Sequence, residues 1–141
     1  MAERSLQQIA DKLKQIDIAM FVTKTGEEGK IAARPMSNNG DVSARDGTTY
    51  HFTTDDGRID DDLRRSKQCG ATYSAGEFWC AVQGQGRLIR DRAEQEKHWK
   101  VSLEKWFDQG LDTDGLILIE VKPDRIAWWD GREEGELTPN A

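Results

Sequence analysis

The stretch Phe78-Trp-Cys-Ala-Val-Gln-Gly-Gln-Gly-Arg-Leu-Ile-Arg90 decides the fold. It is rich in strand-forming residues but long for one strand, and Gly84 and Gly86 interrupt it. Glycines two apart lie on one face of a strand, where they mark strong coiling, a bulge or the close approach of something bulky. A small barrel needs such bends to close, so this segment favours a barrel over a flat sheet. Before it, Cys69 to Ser74 reads as a strand leading into a tight turn at 75–77. After it, Asp91 and Glu94 form a capping box, which opens a helix over 92–109 that carries Trp99, Leu103 and Trp106 or Phe107 along one stripe. So large an apolar load is expected against the barrel or across a subunit boundary. Leu116 to Val121 is a nearly continuous apolar strand, Pro123-Asp124 reads as a turn, and Arg125 to Trp129 returns as the final strand. Residues 132–141 read as a loose, acidic polar tail.

Towards the N-terminus, Ser5 and Gln8 form a capping box for a helix over 5–16, with Leu6, Ile9, Leu13 and Ile16 at helical spacing. Ile18 to Thr23 is a strand, a turn follows over 24–29, and Lys30 to Met36 is expected to pair with it antiparallel. Arg34 lies near the end of that second strand, directly before Pro35. Proline cannot donate to a ladder, so the strand belongs at an edge, a bulge or its own end here. An arginine held there can meet a ligand anion with a bidentate fork; equally, it can pair with one of the many carboxylates. A polar loop over 37–47 is either a surface excursion or a binding rim. Thr48 to Thr54 is the next strand, with Tyr50 and Phe52 on one face, His51 and Thr53 on the other. Thr53 and Thr54 can donate to the same anion as Arg34, or simply serve strand propensity. Ile59, Leu63 and the run from Asp62 to Lys67 suggest a short helix next, with Asp60, Asp61 and Asp62 in its first turn and Arg64, Arg65 and Lys67 in its last. The sum is one α+β domain of six or seven mainly antiparallel strands with flanking helices.

Composition narrows the function. With 26 acidic and 20 basic residues among 141, the formal charge is -6, a balance that disfavours nucleic acid and anionic membranes. No apolar run approaches ~18 residues and no signal peptide opens the chain, so the expected setting is soluble and cytoplasmic. The two cysteines, Cys69 and Cys80, are not spaced as a metal pair or redox motif, and the two histidines, His51 and His98, are far apart. There is no Gly-x-Ser-x-Gly elbow and no Gly-x-Gly-x-x-Gly opening a helix. What remains is a cofactor site, in which Arg34, Thr53, Thr54 and the Arg58 region fix a phosphate while Trp106, Phe107, Trp128 and Trp129 offer flat walls to a ring. Adjacent tryptophans on a strand point to opposite faces, so only one of Trp128 and Trp129 sees a given pocket.

The Arg-Pro-Met step at 34–36, the Phe-Thr-Thr ending at 52–54, the step at Gly57-Arg58, the Trp-Phe pair at 106–107 and the closing Val-Lys-Pro-Asp-Arg-Ile-Ala-Trp-Trp-Asp at 121–130 resemble the pyridoxamine 5'-phosphate oxidase-like superfamily. Within it, they are most similar to the bacterial general stress protein branch of FMN-binding split barrels. The resemblance runs from about residue 5 to residue 131 and implies a six-stranded split barrel over 1–131 that dimerises, with the flavin cleft shared by both subunits. It implies that Arg34 holds the flavin phosphate, that Pro35, Met36 and Ser37 run beside the ring, and that Phe52, Thr53 and Thr54 contact the cofactor. Arg58 then stands at a second phosphate contact, and Trp106 and Trp129 border the ring, one of them from the second subunit. The resemblance also implies an oxidoreductase fed by a reduced nicotinamide or a small-molecule substrate, or else a non-catalytic flavin carrier or sensor. Where the family has serine and lysine around that second arginine, this chain has Gly57 and Ile59, which leaves FMN against FAD open.

Overall fold

The computed structural model describes residues 2–140. Three α-helices, α1 (Leu6–Leu13), α2 (Arg58–Arg65) and α3 (Arg92–His98), flank seven strands: β1 (Ile18–Lys24), β2 (Ile31–Ser37), β3 (Thr49–Thr54), β4 (Gln68–Ala75), β5 (Phe78–Ile89), β6 (Leu116–Asp130) and β7 (Glu133–Leu137). All pairings are antiparallel, in the order β2-β1-β4-β5-β6-β3, with β7 added beside β6. The α+β barrel expected from the sequence is therefore present. Its two end strands, β2 and β3, share no ladder. Among the described residues, no helix is long and apolar enough to cross a membrane.

The strands alternate buried and exposed residues, as β1 does with Ala19 and Phe21 inside and Ile18 and Met20 outside. The inward set packs with Ile9 and Leu13 of α1 and with Ile59 and Leu63 of α2. A second cluster, centred on Phe52, Ile89, Leu103 and Leu118, lies under α3 and the segment after it. The capping box at Ser5 forms as expected, with Gln8 N–H donating to the Ser5 hydroxyl at 3.1 Å and Ser5 N–H donating to the Gln8 side-chain Oε1 at 2.8 Å.

Three expectations are corrected. Pro123-Asp124 does not turn the chain: β6 runs unbroken from Leu116 to Asp130. Its first part lies between β5 and β3, and its last part between β5 and β7. The pairing shifts between Gln83 and Gly84, where Gln83 faces Arg125 and Gly84 faces Pro123, so a bulge absorbs the proline that lacks a donor. A Cβ on Gly84 would sit 2.2 Å from the Lys122 carbonyl oxygen and 2.8 Å from Pro123 Cα, so only glycine allows this approach. The proline bends the barrel.

The helix expected over 92–109 ends at His98, and a 3₁₀ turn follows at Val101–Lys105. An unbroken helix of that length would run ~27 Å in a straight line. Breaking it lets Trp99 meet Phe52 edge-on at 5.1 Å between ring centres, with Phe107 beyond it at 6.0 Å. The tail expected to be loose over 132–141 supplies a seventh strand, β7, beyond the six implied by the resemblance. Its acids point outward while Gly135 lies flat on the buried Trp128, where a Cβ would come within 2.5 Å of the ring. Arg4 covers that same ring at 4.3 Å and bonds Asp130 and Glu133, tying both ends of the chain together.

Gly84→Ala should destabilise the fold by about 1–3 kcal/mol, the usual cost of forcing extra volume into a packed position, measurable by urea denaturation. An unchanged midpoint would mean that the β5–β6 bend tolerates a side chain.

Candidate functional site

The residues at the free edges of β2 and β3 converge on one cleft of about 490 Å³. Arg34, Pro35, Met36 and Ser37 line it from β2; Phe52, Thr53 and Thr54 from β3. Asp56, Gly57, Arg58 and Ile59 line it from the turn and first residues of α2, and Trp106 and Phe107 from the segment after α3. The volume falls within the ~300–1,000 Å³ usual for small-molecule sites. Nine of the ten residues singled out from the sequence are among its walls; Trp129 is not.

Arg34 is held rather than loose. Its Nη1 donates to Thr23 Oγ1 at 2.9 Å and to the Phe21 carbonyl at 3.3 Å, and its Nη2 donates to Asp62 Oδ2 at 3.4 Å. The Thr23 hydroxyl donates its own hydrogen bond to the same Asp62 oxygen at 2.8 Å. Asp62 comes from α2 and is buried, so the helix delivers a carboxylate behind the guanidinium. The pairing with a carboxylate weighed for Arg34 is thus real, yet it does not exhaust the side chain. One Nη2 proton and the Nε proton have no partner among the described residues, which leaves a pair of donors for a ligand. Burial holds the Arg34 pKa below its usual value, Asp62 works against that shift, and the like charge of Arg58 adds to it.

Around Arg34 the donors are of one kind. Gly57 is the N-cap of α2 and offers no side chain, so the first N–H groups of that helix are uncapped at the cleft. The space about Gly57 is open, with nothing within 4 Å of an added Cβ. Arg58 is exposed and has no ion-pair partner among the described residues. The Thr54 hydroxyl, in contrast, donates to Asp56 at 2.6 Å. The remaining wall is apolar, built from Ile18, Pro35, Met36, Phe52, Ile59, Trp106 and Phe107. A donor end beside an aromatic and aliphatic slot suits a planar ring with an anionic tail.

Neither histidine lines the cleft. His51 is buried beneath it, with Nδ1–H donating to the Ser37 carbonyl at 3.1 Å and Nε2 accepting from Thr49 Oγ1 at 3.0 Å. A carbonyl only accepts, so the tautomer is fixed. Burial lowers the His51 pKa to about 4. His98 instead meets Asp41 at 2.5 Å and stacks on Tyr50, clasping the 37–48 loop to the end of α3. Sequence reading missed both roles, because they depend on residues brought together from distant segments. The two thiols are raised by burial to about 12, so neither is a thiolate at neutral pH.

The adjacent tryptophans divide as expected on a strand: Trp128 is core, and Trp129 stands on the outer face opposite Trp79. That face also carries Ile18, Met20 and Ile31, all exposed, and Ile18 belongs to the cleft wall as well.

A family model described as "Pyridoxamine 5'-phosphate oxidase like" matches residues 4–138. The chain belongs to this family. General stress protein 26 of Bacillus subtilis (strain 168) is 31% identical over 64 residues, which cover 45% of this chain and 43% of that protein. Among solved structures, a Clostridium acetobutylicum protein related to general stress protein 26 superposes with a TM-score of 0.79 at 15% identity, covering 94% of both chains. General stress protein 26 of Bacillus anthracis str. Sterne superposes with a TM-score of 0.72 at 18% identity, covering 94% of this chain and 98% of that one. At such identities the two structures establish the fold of this family member, the split barrel.

Two outcomes test this geometry. Asp62→Ala should cost about 2 kcal/mol in chemical denaturation, because it strands a half-buried guanidinium. His51 binds its proton more readily in the unfolded chain, where its value is 6.5, than in the fold, where it is about 4. Stability should therefore fall as pH drops from 6.5 towards 4, with His51 contributing up to ~3 kcal/mol of the loss. His51→Leu should show a shallower acid slope in thermal unfolding.

Proposed function

We propose that this chain is a flavin-binding split-barrel protein of the general stress protein type, which orients FMN or FAD in the cleft between β2 and β3. The observation that carries the reading is the convergence of arginine, hydroxyl and aromatic residues from separated segments on one cleft. Arg34, Arg58, Thr53 and the uncapped start of α2 would hold the phosphate end, and Trp106, Phe107 and Met36 would wall the ring. The bound flavin would supply hydride-transfer chemistry with a reduced nicotinamide or a small-molecule substrate. The chain's own part is to hold the phosphate, fix the ring plane and keep water from its buried face.

The working unit in this reading is a homodimer. Trp79 and Trp129 are exposed at 51% and 41%, and with Ile18 and Met20 they make an apolar outer face continuous with the cleft wall. A second copy seated there would shield these residues and bring its Trp129 to the border of the neighbouring cleft. Trp129 is then a site residue across the dimer and an outer-face residue within one chain.

A non-catalytic carrier or sensor is the second reading, in which the same cleft holds the flavin without turning it over. The first test is the absorbance spectrum of the purified protein, followed by titration with FMN and FAD. Flavin bands with stoichiometric uptake support the cleft assignment; no saturable uptake rejects it. Arg34→Ala should weaken FMN binding at least about tenfold, since hydrogen bonds to charged groups contribute roughly 1.5–3 kcal/mol. Turnover of reduced nicotinamide by the holoprotein separates oxidoreductase from carrier.

A further inference from the structure

We propose that Thr23, which does not line the cleft, is the positioning residue that aims Arg34 at a ligand's phosphate. The proposal rests on the flavin reading above and concerns how the phosphate end of that site is held in shape. On the inner face of β1, Ala19 and Phe21 precede Thr23, and all three are buried. A hydroxyl at that third position, in a residue only 1% exposed, is costly unless it has hydrogen-bond partners. It has two: Thr23 Oγ1 accepts from Arg34 Nη1 at 2.9 Å and donates to Asp62 Oδ2 at 2.8 Å. A guanidinium has no acceptor, so the Thr23 proton goes to the carboxylate and the direction of the chain is fixed.

The register explains the reach. Phe21 lies opposite Arg34 and Thr23 opposite Ala32, so Thr23 is the diagonal neighbour of Arg34 on the same face of the β1–β2 pair. Such neighbours are ~7–8 Å apart, within reach of a long side chain. The distances rank the tethers. Arg34 contacts the Phe21 carbonyl and Asp62 at 3.3 and 3.4 Å, against 2.9 Å to Thr23. Of the two groups on Asp62 Oδ2, Thr23 is also the nearer. Removing its hydroxyl therefore loosens both partners at once.

All of these contacts use Nη1 and Nη2, the far end of the guanidinium. The edge made by Nε and the second Nη2 proton stays free, and its two parallel N–H groups suit two oxygens of one phosphate. Arg58 also lines the cleft, but it is exposed and has no ion-pair partner among the described residues. It brings charge without a fixed direction, whereas a fork already aimed loses less freedom when the ligand binds.

Purified protein stripped of ligand is titrated with FMN and with riboflavin, which has the same ring and no phosphate, and dissociation constants are read from flavin fluorescence. Thr23→Val keeps the shape and charge of the site and removes the hydroxyl. It should weaken FMN binding about fivefold or more, the worth of roughly one hydrogen bond, and leave riboflavin within about twofold. Thr23→Ser should restore FMN affinity to within about twofold of wild type. A general loosening of the fold would move both flavins together. In the wild-type protein, with nitrogen-labelled arginine, the Nη protons of Arg34 should give separate NMR signals, because a tethered guanidinium does not rotate freely; this result does not depend on a variant folding. An unchanged ratio of FMN to riboflavin affinity in Thr23→Val, or one averaged Nη signal, would overturn the proposal. A wild-type protein that binds neither flavin saturably would reject the flavin reading itself, and the proposal with it.

Discussion

The structure depends on how the two ends of its sheet are brought together without a ladder between them. β2 and β3 terminate the strand order, and among the described residues no backbone pairing joins them. A barrel closed by hydrogen bonds would leave no free strand edge at this seam. Here the seam is stitched by side chains instead. His51 of β3 reaches the Ser37 carbonyl of β2, and Arg34 of β2 reaches Asp62 of α2. Below these stitches the interior is apolar; above them the strand edges stay free to meet a ligand.

The same economy appears in the elements around the seam. α2 is short, but it serves as plug and electrostatic wall together. Ile59 and Leu63 enter the core, Asp62 neutralises Arg34 from behind, and the uncapped N-terminus faces the cleft. The segment after α3 gives up helical continuity at Trp99, and in exchange Leu103 is buried while Trp106 stands exposed at the cleft. β6 bends at the Gly84–Pro123 bulge, so its first half supports β3 and its second half supports β7.

Much of this was legible in residue order. The pattern of alternation located β1, β3, β4 and β5, the Ser5–Gln8 box located α1, and Gly84 with Gly86 marked the bend. Pro35 confined β2 to an edge, a bulge or its own end, and the structure places the strand at the edge, where an amide without a proton is tolerated. Two of the misreadings share one cause. Pro123-Asp124 looks like a turn, and Glu133-Glu-Gly-Glu-Leu137 looks like a loose tail, when each is judged by its own chemistry. Both become strand because a distant partner supplies what they lack: Gly84 accommodates the proline, and Trp128 offers the flat surface on which Gly135 lies.

By itself, the sequence determined the fold class, the antiparallel order of its hairpins and the residue types of the cleft, since strand alternation and glycine placement are local properties. It also required that Trp128 and Trp129 face opposite ways, a matter of strand period alone. Only the tertiary structure decided that Arg34 is tethered to Asp62 while keeping donors free, that His51 is neutral and holds the seam, and that Trp129 lies outside its own chain's cleft. Charge balance and burial arise from groups separated by many residues along the chain. No local pattern encodes which carboxylate a given arginine will meet.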